Sequence, residues 1–293
     1  KVPASRVFLN QDSFKYTIIA INCKLMTKKI KKLNGGEREE LLIKIFLCSL
    51  RDNKKEISGI GKIEKVGFET EYSSINWKNI DFNNLKINEK EIRSISEKLN
   101  ISKGSSLHKA DVKINDIFYS LKCTGYGKPT IVNHTSRVGW LEIAEIKSLN
   151  INELDKIVDY YWTLRENKEI SEDCPNFHEK SPFKNNKHVI KPFLDFFIFE
   201  GSGQGESKYP ASKVLEFKNF DDTNSWDIYG DEYLDKHWEK LYFCMRYKKG
   251  IMPKDQAAYD NHKAKDKISP WTRYFKGKKG EKKFRGALHV RVG

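Results

Sequence analysis

No stretch of the chain approaches the 18 or so consecutive apolar residues of a membrane-spanning helix, so no transmembrane segment is expected. The first residues, KVPASRVFLNQDSFKYTIIAINC, lack the apolar stretch and cleavage pattern of a secretory leader. Cys23, Cys48, Cys123, Cys174 and Cys244 are scattered, odd in number, and contain no Cys-x-x-Cys pair. That argues against a zinc ribbon and a disulfide framework, and a reducing cytoplasm is the expected compartment. Gly201-Ser202-Gly203-Gln204-Gly205 lacks the Gly-Lys-Ser/Thr ending of a P-loop and is no strand-to-helix dinucleotide turn, so no nucleotide cofactor is expected. Nor do His and Asn residues assemble into the ββα pattern of an HNH nuclease.

What the chain does have is length, aromatics and positive charge. Its 293 residues, 38% hydrophobic and 12% aromatic, are enough for a large core. The net charge is +14, and residues 246–293 hold 15 Lys/Arg against 4 Asp/Glu. A basic region beside a near-neutral body fits a polyanionic partner, nucleic acid above all, or else a solvated lysine-rich surface.

Residues 1–33 read as one or two strands, with β-formers from Tyr16 to Ile21, and a basic connector, KKIKK. Residues 37–50 then read as a helix with Leu42, Ile45, Phe46, Ser49 and Leu50 on one face. Glu39 falls on that face and Glu40 points away from it. Residues 56–72 form a short hairpin or loop. Residues 88–101 form a short helix with Ile92, Ile95 and Leu99 inward, and two further helices cover 140–149 and 154–165. Residues 189–199 are core-like and 200–212 are a loop. Residues 233–247 run from helix into strand, and 248–285 are basic and poorly patterned. Residues 287–292 alternate Leu288, Val290 and Val292 against His289 and Arg291. The fold class is mixed α/β, a central mixed sheet flanked by helices. The nearest candidate boundary separates 1–200 from a basic part, 201–293, packed on the same domain.

The stretch KADVKINDIFYSLK (109–122) carries the chemistry. With Asn115-Asp116 as a two-residue turn, Ile114 faces Ile117, Lys113 faces Phe118, Val112 faces Tyr119 and Asp111 faces Ser120. Alternation then puts Asp111, Ser120 and Lys122 on one face. A carboxylate beside a lysine is what metal-dependent phosphodiester cleavage needs, and the Leu121 carbonyl offers a further oxygen. By spacing alone, the wet face of an ordinary hairpin has the same residues.

Asp111, a hairpin and then Ser120-Leu121-Lys122 resembles the active-site core of the PD-(D/E)XK nuclease superfamily, especially type II restriction endonucleases. The continuation GYGKPTIVNHTSRVGWLEIAEI (125–146) is similar to that of restriction enzymes with a Ser-x-Lys core. Ser181-Pro182-Phe183, GSGQGESKYPAS and PWTRYFKGKKGEKKFRGALHVRV carry a looser likeness. Two positions depart from the pattern: Ala110 replaces a proline, and Ser120 replaces the second acid. Serine is a poor Mg²⁺ ligand, so the resemblance implies a carboxylate from elsewhere. Glu142, Glu145 one turn later, and Glu39 or its neighbour Glu40 are the choices.

The resemblance implies Mg²⁺-dependent cleavage of double-stranded DNA at a short specific sequence. Asp111, Leu121 and Glu142 or Glu39 would hold the metal, and Lys122 would activate or position water. A homodimer and a cognate DNA methyltransferase in the host are implied as well. Expected DNA contacts are Lys128, Asn133, His134 and Arg137 after the lysine strand, and Arg273, Lys278, Arg285, His289 and Arg291 in the basic tail. Two rivals stay open: a structure-specific repair or recombination nuclease, and a non-enzymatic DNA- or RNA-binding module.

Overall fold

The computed structural model describes residues 32–68, 73–104, 108–276 and 280–293. The chain divides into two units, Lys1–Asn34 and Gly35–Gly293, and the strands expected before residue 32 lie outside the described residues. The architecture below is that of the second unit.

Helix α1 (Gly35–Asp52) carries Glu37 in its first turn and Arg51 in its last, each suited to the helix dipole. It buries Leu41, Leu42, Ile43, Lys44, Ile45, Leu47 and Cys48, more than one face, because α2 (Glu89–Lys98) and strand β2 (Ile117–Cys123) both pack on it. Phe46 and Leu50, expected at the centre of a single buried face, are only half-buried. Helix α2 is capped by Asn88, whose side chain accepts from the Glu91 amide, and turns Ile92 and Ile95 inward as its spacing predicts.

Strand β1 (Val112–Ile114) and β2 form the expected hairpin in the expected register, Val112 opposite Tyr119, Lys113 opposite Phe118 and Ile114 opposite Ile117. Asn115 takes a positive φ of 53° at the turn. Its side chain accepts from the Glu64 and Lys65 amides and donates to the Lys62 carbonyl, while Val66 bridges Ile114. The turn is thereby tied to the chain that precedes it.

Strands β3 (Thr130–Ser136), β4 (Lys213–Phe217), β5 (Trp226–Tyr229), β6 (Leu241–Arg246) and β7 (Ala287–Val292) complete two four-stranded sheets. The first, in order β5-β4-β2-β1, is mixed: β2 and β4 run parallel, and the other neighbours are antiparallel. The second, β3-β7-β6 with the short edge Cys174–Pro175, is antiparallel throughout. A parallel pair needs a long crossover. Here it includes β3 and helices α3 (Arg137–Lys147), α4 (Ile151–Glu166) and α5 (Lys187–Asp195). Strands from both sides of residue 200 pair in each sheet, so 35–200 and 201–293 share one unit.

The core gathers Trp140, Trp162, Phe183, Phe193, Phe243 and Trp271. The 200–212 loop contains a two-stranded turn, Gly201–Ser202 with Gly205–Glu206. Gly203 packs backbone to backbone on α3: a side-chain carbon on Gly139 would meet the Gly203 Cα at 2.8 Å. The basic stretch 248–285 is more ordered than its pattern implies, with a hairpin of Arg273–Lys276 and Lys282–Arg285. Tyr259 stacks on Phe284 there and Tyr274 packs tilted against it, an aromatic cluster with no regular spacing in sequence. Among the described residues no helix is long and apolar enough to cross a membrane, and Cys48, Cys123, Cys174 and Cys244 are free thiols.

Candidate active site

Asp111 stands just before β1, where its amide donates to the Tyr119 carbonyl and extends the hairpin by one step. Its Oδ2 accepts from the Leu121 amide at 2.7 Å and from Ser120 Oγ at 3.3 Å. Lys122 Nζ donates to Ser120 Oγ at 3.2 Å. Ser120 therefore bridges the acid and the lysine. This face is not wet: Ser120 is 1% exposed and Lys122 8%. An ordinary surface hairpin does not bury an ammonium.

A second carboxylate arrives from α1. Glu40 Oε1 accepts from the Gly104 amide and from Lys44 Nζ, one turn on in the same helix. The two acids converge at Gly104, where a side-chain carbon would lie 2.9 Å from Asp111 Oδ1 and 3.3 Å from Glu40 Oε1. Any larger residue there would press on both. Glu40, Asp111, Leu121, Lys122, Tyr126 and Lys128 line one cavity of about 400 Å³.

The electrostatics follow from burial. Desolvation raises the Glu40 pKa, with Lys44 opposing and Asp111 reinforcing the rise. Desolvation lowers that of Lys122, against the pull of Asp111, Glu40 and Glu216. Lys109 is pushed down to about 7 by burial and by the Lys122 charge, with Asp111 opposing. Its amide donates to Ser207 Oγ at 2.6 Å, so the 200–212 loop is fixed to the residues leading into Asp111.

Behind Lys122 lies Glu216, its partner in the parallel β2–β4 register. Tyr233 donates its hydroxyl to Glu216 Oε2 at 3.1 Å, and His237 Nε2 lies 3.3 Å from the same oxygen. His237 Nδ1 donates to the Tyr233 carbonyl at 2.8 Å. Burial works against a charged ring here, but the two acceptors outweigh it and raise the His237 pKa.

The remaining expected residues fall elsewhere. Glu142 is exposed on α3 beside Gly205 and does not line the cavity; Glu145 is also exposed on α3. Glu39 faces Arg38, Lys86 and Asp221, and burial raises its pKa. Arg137 is buried, bidentate to Asp155 at 2.7 and 2.6 Å. Arg285 is buried against Glu172 and Glu281. Arg273 bonds Asp159 and nearby carbonyls, and Arg291 bonds Asp173. All four arginines are held by acids of the same chain, Arg137 and Arg285 buried and Arg273 and Arg291 nearer the surface, which counting charge along the sequence does not reveal. His134 stacks on buried His289, ring centroids 4.1 Å apart, and burial with the surrounding basic side chains pushes both down to about 4. Exposed Asn133 meets His134 Nδ1, and exposed Lys128 lies over the Tyr242 ring. Lys278 lies outside the described residues.

Sequence reasoning offered Glu40 only as one of four glutamates, pointing away from the apolar face, and passed over Lys44, Lys109 and Glu216. The signal for the first two was there: Glu40 and Lys44 are one turn apart, on a stripe that includes Leu41, Leu47 and Cys48.

Among the described residues no three His, Cys, Asp or Glu side chains gather as a metal cage. Two carboxylates suffice for Mg²⁺, which keeps waters and takes substrate phosphate oxygens. Asp111 Oδ1 and Glu40 Oε2 accept no hydrogen bond from the described residues, which fits that donor set. Comparison with family models, with curated proteins and with solved structures finds no match.

Proposed function

We propose that this chain is a Mg²⁺-dependent nuclease of the PD-(D/E)XK type that cuts double-stranded DNA at a short specific sequence, as a type II restriction endonuclease does. The observation that carries the reading is the convergence of Asp111, Glu40 and buried Lys122 on one cavity, with Ser120 joining the lysine to the acid. The mixed sheet, with its acid-and-lysine hairpin paired in parallel to a later strand, supports the same reading.

In this mechanism Asp111 and Glu40 would hold the metal, with Glu40 in the role that Ser120 cannot take. When bound, Mg²⁺ would supply charge neutralisation at the phosphate and a lowered pKa for a bound water. Lys122 Nζ, fixed by Ser120 and backed by Glu216, orients the attacking water and offsets the charge that develops on the phosphate. Lys44 holds Glu40 in place. Two copies of the chain would cut the two strands of a palindrome, and a methyltransferase of the same specificity would protect the host.

The test is digestion of a plasmid of known sequence with Mg²⁺, followed by mapping of the ends. Discrete fragments with one common terminal sequence are expected, and Asp111→Ala and Lys122→Ala should abolish them. Cuts placed by DNA shape would favour a repair or recombination nuclease. No cleavage of any mixed-sequence DNA, methylated or not, would end the nuclease reading.

A further inference from the structure

Asp111 borders a second cavity, one that Lys122 does not line. It measures about 140 Å³, and its lining includes Phe68, Ser102, Lys103, Gly104 and His108 beside Asp111. Asp111 is thus a shared wall: the Lys122 cavity lies on one side and this one on the other. Gly104, at which both carboxylates converge, belongs to the lining as well.

Part of the wall is aromatic, formed by Phe68 and His108. Phe68 sits over three rings, its centroid 5.3 Å from His108, 5.1 Å from Tyr209 and 5.9 Å from Phe118. His108 and Tyr209 meet edge to face at 4.5 Å, and Phe118 stacks on Tyr209 at 5.9 Å. The platform is held by backbone bonds, since the Tyr209 carbonyl accepts from both the Lys109 and Ala110 amides. Yet Phe68 remains 37% exposed. A ring serving only to close a core would be covered; this one is backed by three others and left open.

We infer that this cavity receives one unpaired nucleobase, pyrimidine-sized, from the DNA strand whose phosphate lies at Asp111. Size, chemistry and position agree. The cavity, about 140 Å³ and lined by polar as well as apolar residues, matches the volume that accepts a single six-membered aromatic ring. Every base presents a π-face to a ring such as Phe68. A phosphate held at Asp111 has its own nucleoside within reach of the adjoining space. Ser102 and Lys103 add polar groups to the lining, where a base edge needs them. The substrate is then DNA with a base out of the stack at the site, either single-stranded or extruded from the duplex.

The inference rests on the proposed nuclease reading, and its test needs no cleavage. Fluorescent 12-nucleotide strands, one of thymidine and one fully abasic, are titrated with the protein in EDTA and followed by anisotropy. The thymidine strand should bind about tenfold more tightly than the abasic one, within the range for one stacked base. Phe68→Leu, which keeps the contact with the three rings, should erase that difference without weakening the abasic strand, and Phe68→Trp should retain it. Equal binding of the two strands by the unaltered protein overturns the inference, whatever the variants do. So does no measurable binding of either, and so does a preference that survives Phe68→Leu. A protein that cuts nothing but prefers thymidine loses the nuclease reading and keeps the base site. One that cuts DNA but does not distinguish the strands does the reverse.

Discussion

Ser120 stands where a metal-binding acid would be expected and does something else. Its hydroxyl donates to Asp111 and accepts from Lys122, so it couples the two charged groups at the bottom of the cavity. Hydrogen bonds to charged groups are worth about 1.5–3 kcal/mol. Ser120→Ala should therefore slow cleavage by roughly 10- to 100-fold while leaving metal affinity, read by Mn²⁺ titration, nearly unchanged. Glu40 is the complementary case. Glu40→Gln keeps the side-chain shape and removes a charge from the proposed metal site. It should cut the rate by about 100-fold or more and raise the Mg²⁺ concentration needed for half-maximal activity. Glu142→Gln, altering an exposed residue beside Gly205, should leave both within about twofold. Activity lost in Glu142→Gln and kept in Glu40→Gln would reverse the assignment. At this scale Gly104 is as constrained as the acids, because its missing side chain is what lets two carboxylates approach one point.

At the scale of elements, helix Tyr233–His237 bears on β4 through a titratable contact. His237 gains two acceptors in the fold, and its pKa rises above the ordinary histidine value. The sign follows from linkage: the folded state holds the proton more tightly, so the contribution is complete below about pH 6.5, the unfolded value, and fades as pH rises through the raised folded value. The melting-temperature gap between the unaltered protein and His237→Gln should be wide at pH 5.5 and narrow at pH 8.5. A gap independent of pH would mean that the ring only packs. The hairpin was legible in the sequence because its register is local: a two-residue turn and period-2 alternation determine it, and Val112–Tyr119 pair as read. Helix α1 was legible as a helix but not in its faces. A single apolar stripe assumes one partner, and α1 has α2 on one side and β2 on another. That second partner brings Glu40 to the site and leaves Phe46 half-buried. The parallel β2–β4 pair, and Glu216 with it, had no local signature, since the residues it joins are some ninety positions apart.

On the scale of the whole molecule, positive charge separates into two kinds. Arg137, Arg246, Arg285 and Arg291 are held by Asp155, Glu172, Glu281 and Asp173, whereas Lys248, Lys249 and Lys282 are exposed. Arg285→Ala leaves Glu172 buried with one cation fewer and should cost about 3–5 kcal/mol of stability, measured by denaturant unfolding. Replacing Lys248 and Lys249 together should leave unfolding unchanged, weaken duplex binding, and lower the slope of log affinity against log salt by about 2. The reverse pattern would place the nucleic-acid surface on the arginines. The long crossover also sets an order in time. Asp111, Ser120 and Lys122 leave the ribosome together, but the strand that covers Lys122 and the Tyr233–His237 pair that steadies Glu216 emerge some ninety residues later or more. In timed cell-free synthesis, cleavage should appear only in chains that have grown well past His237. For the proposed nuclease, such a delay would keep an unfinished chain from acting on the genome of the cell that is making it.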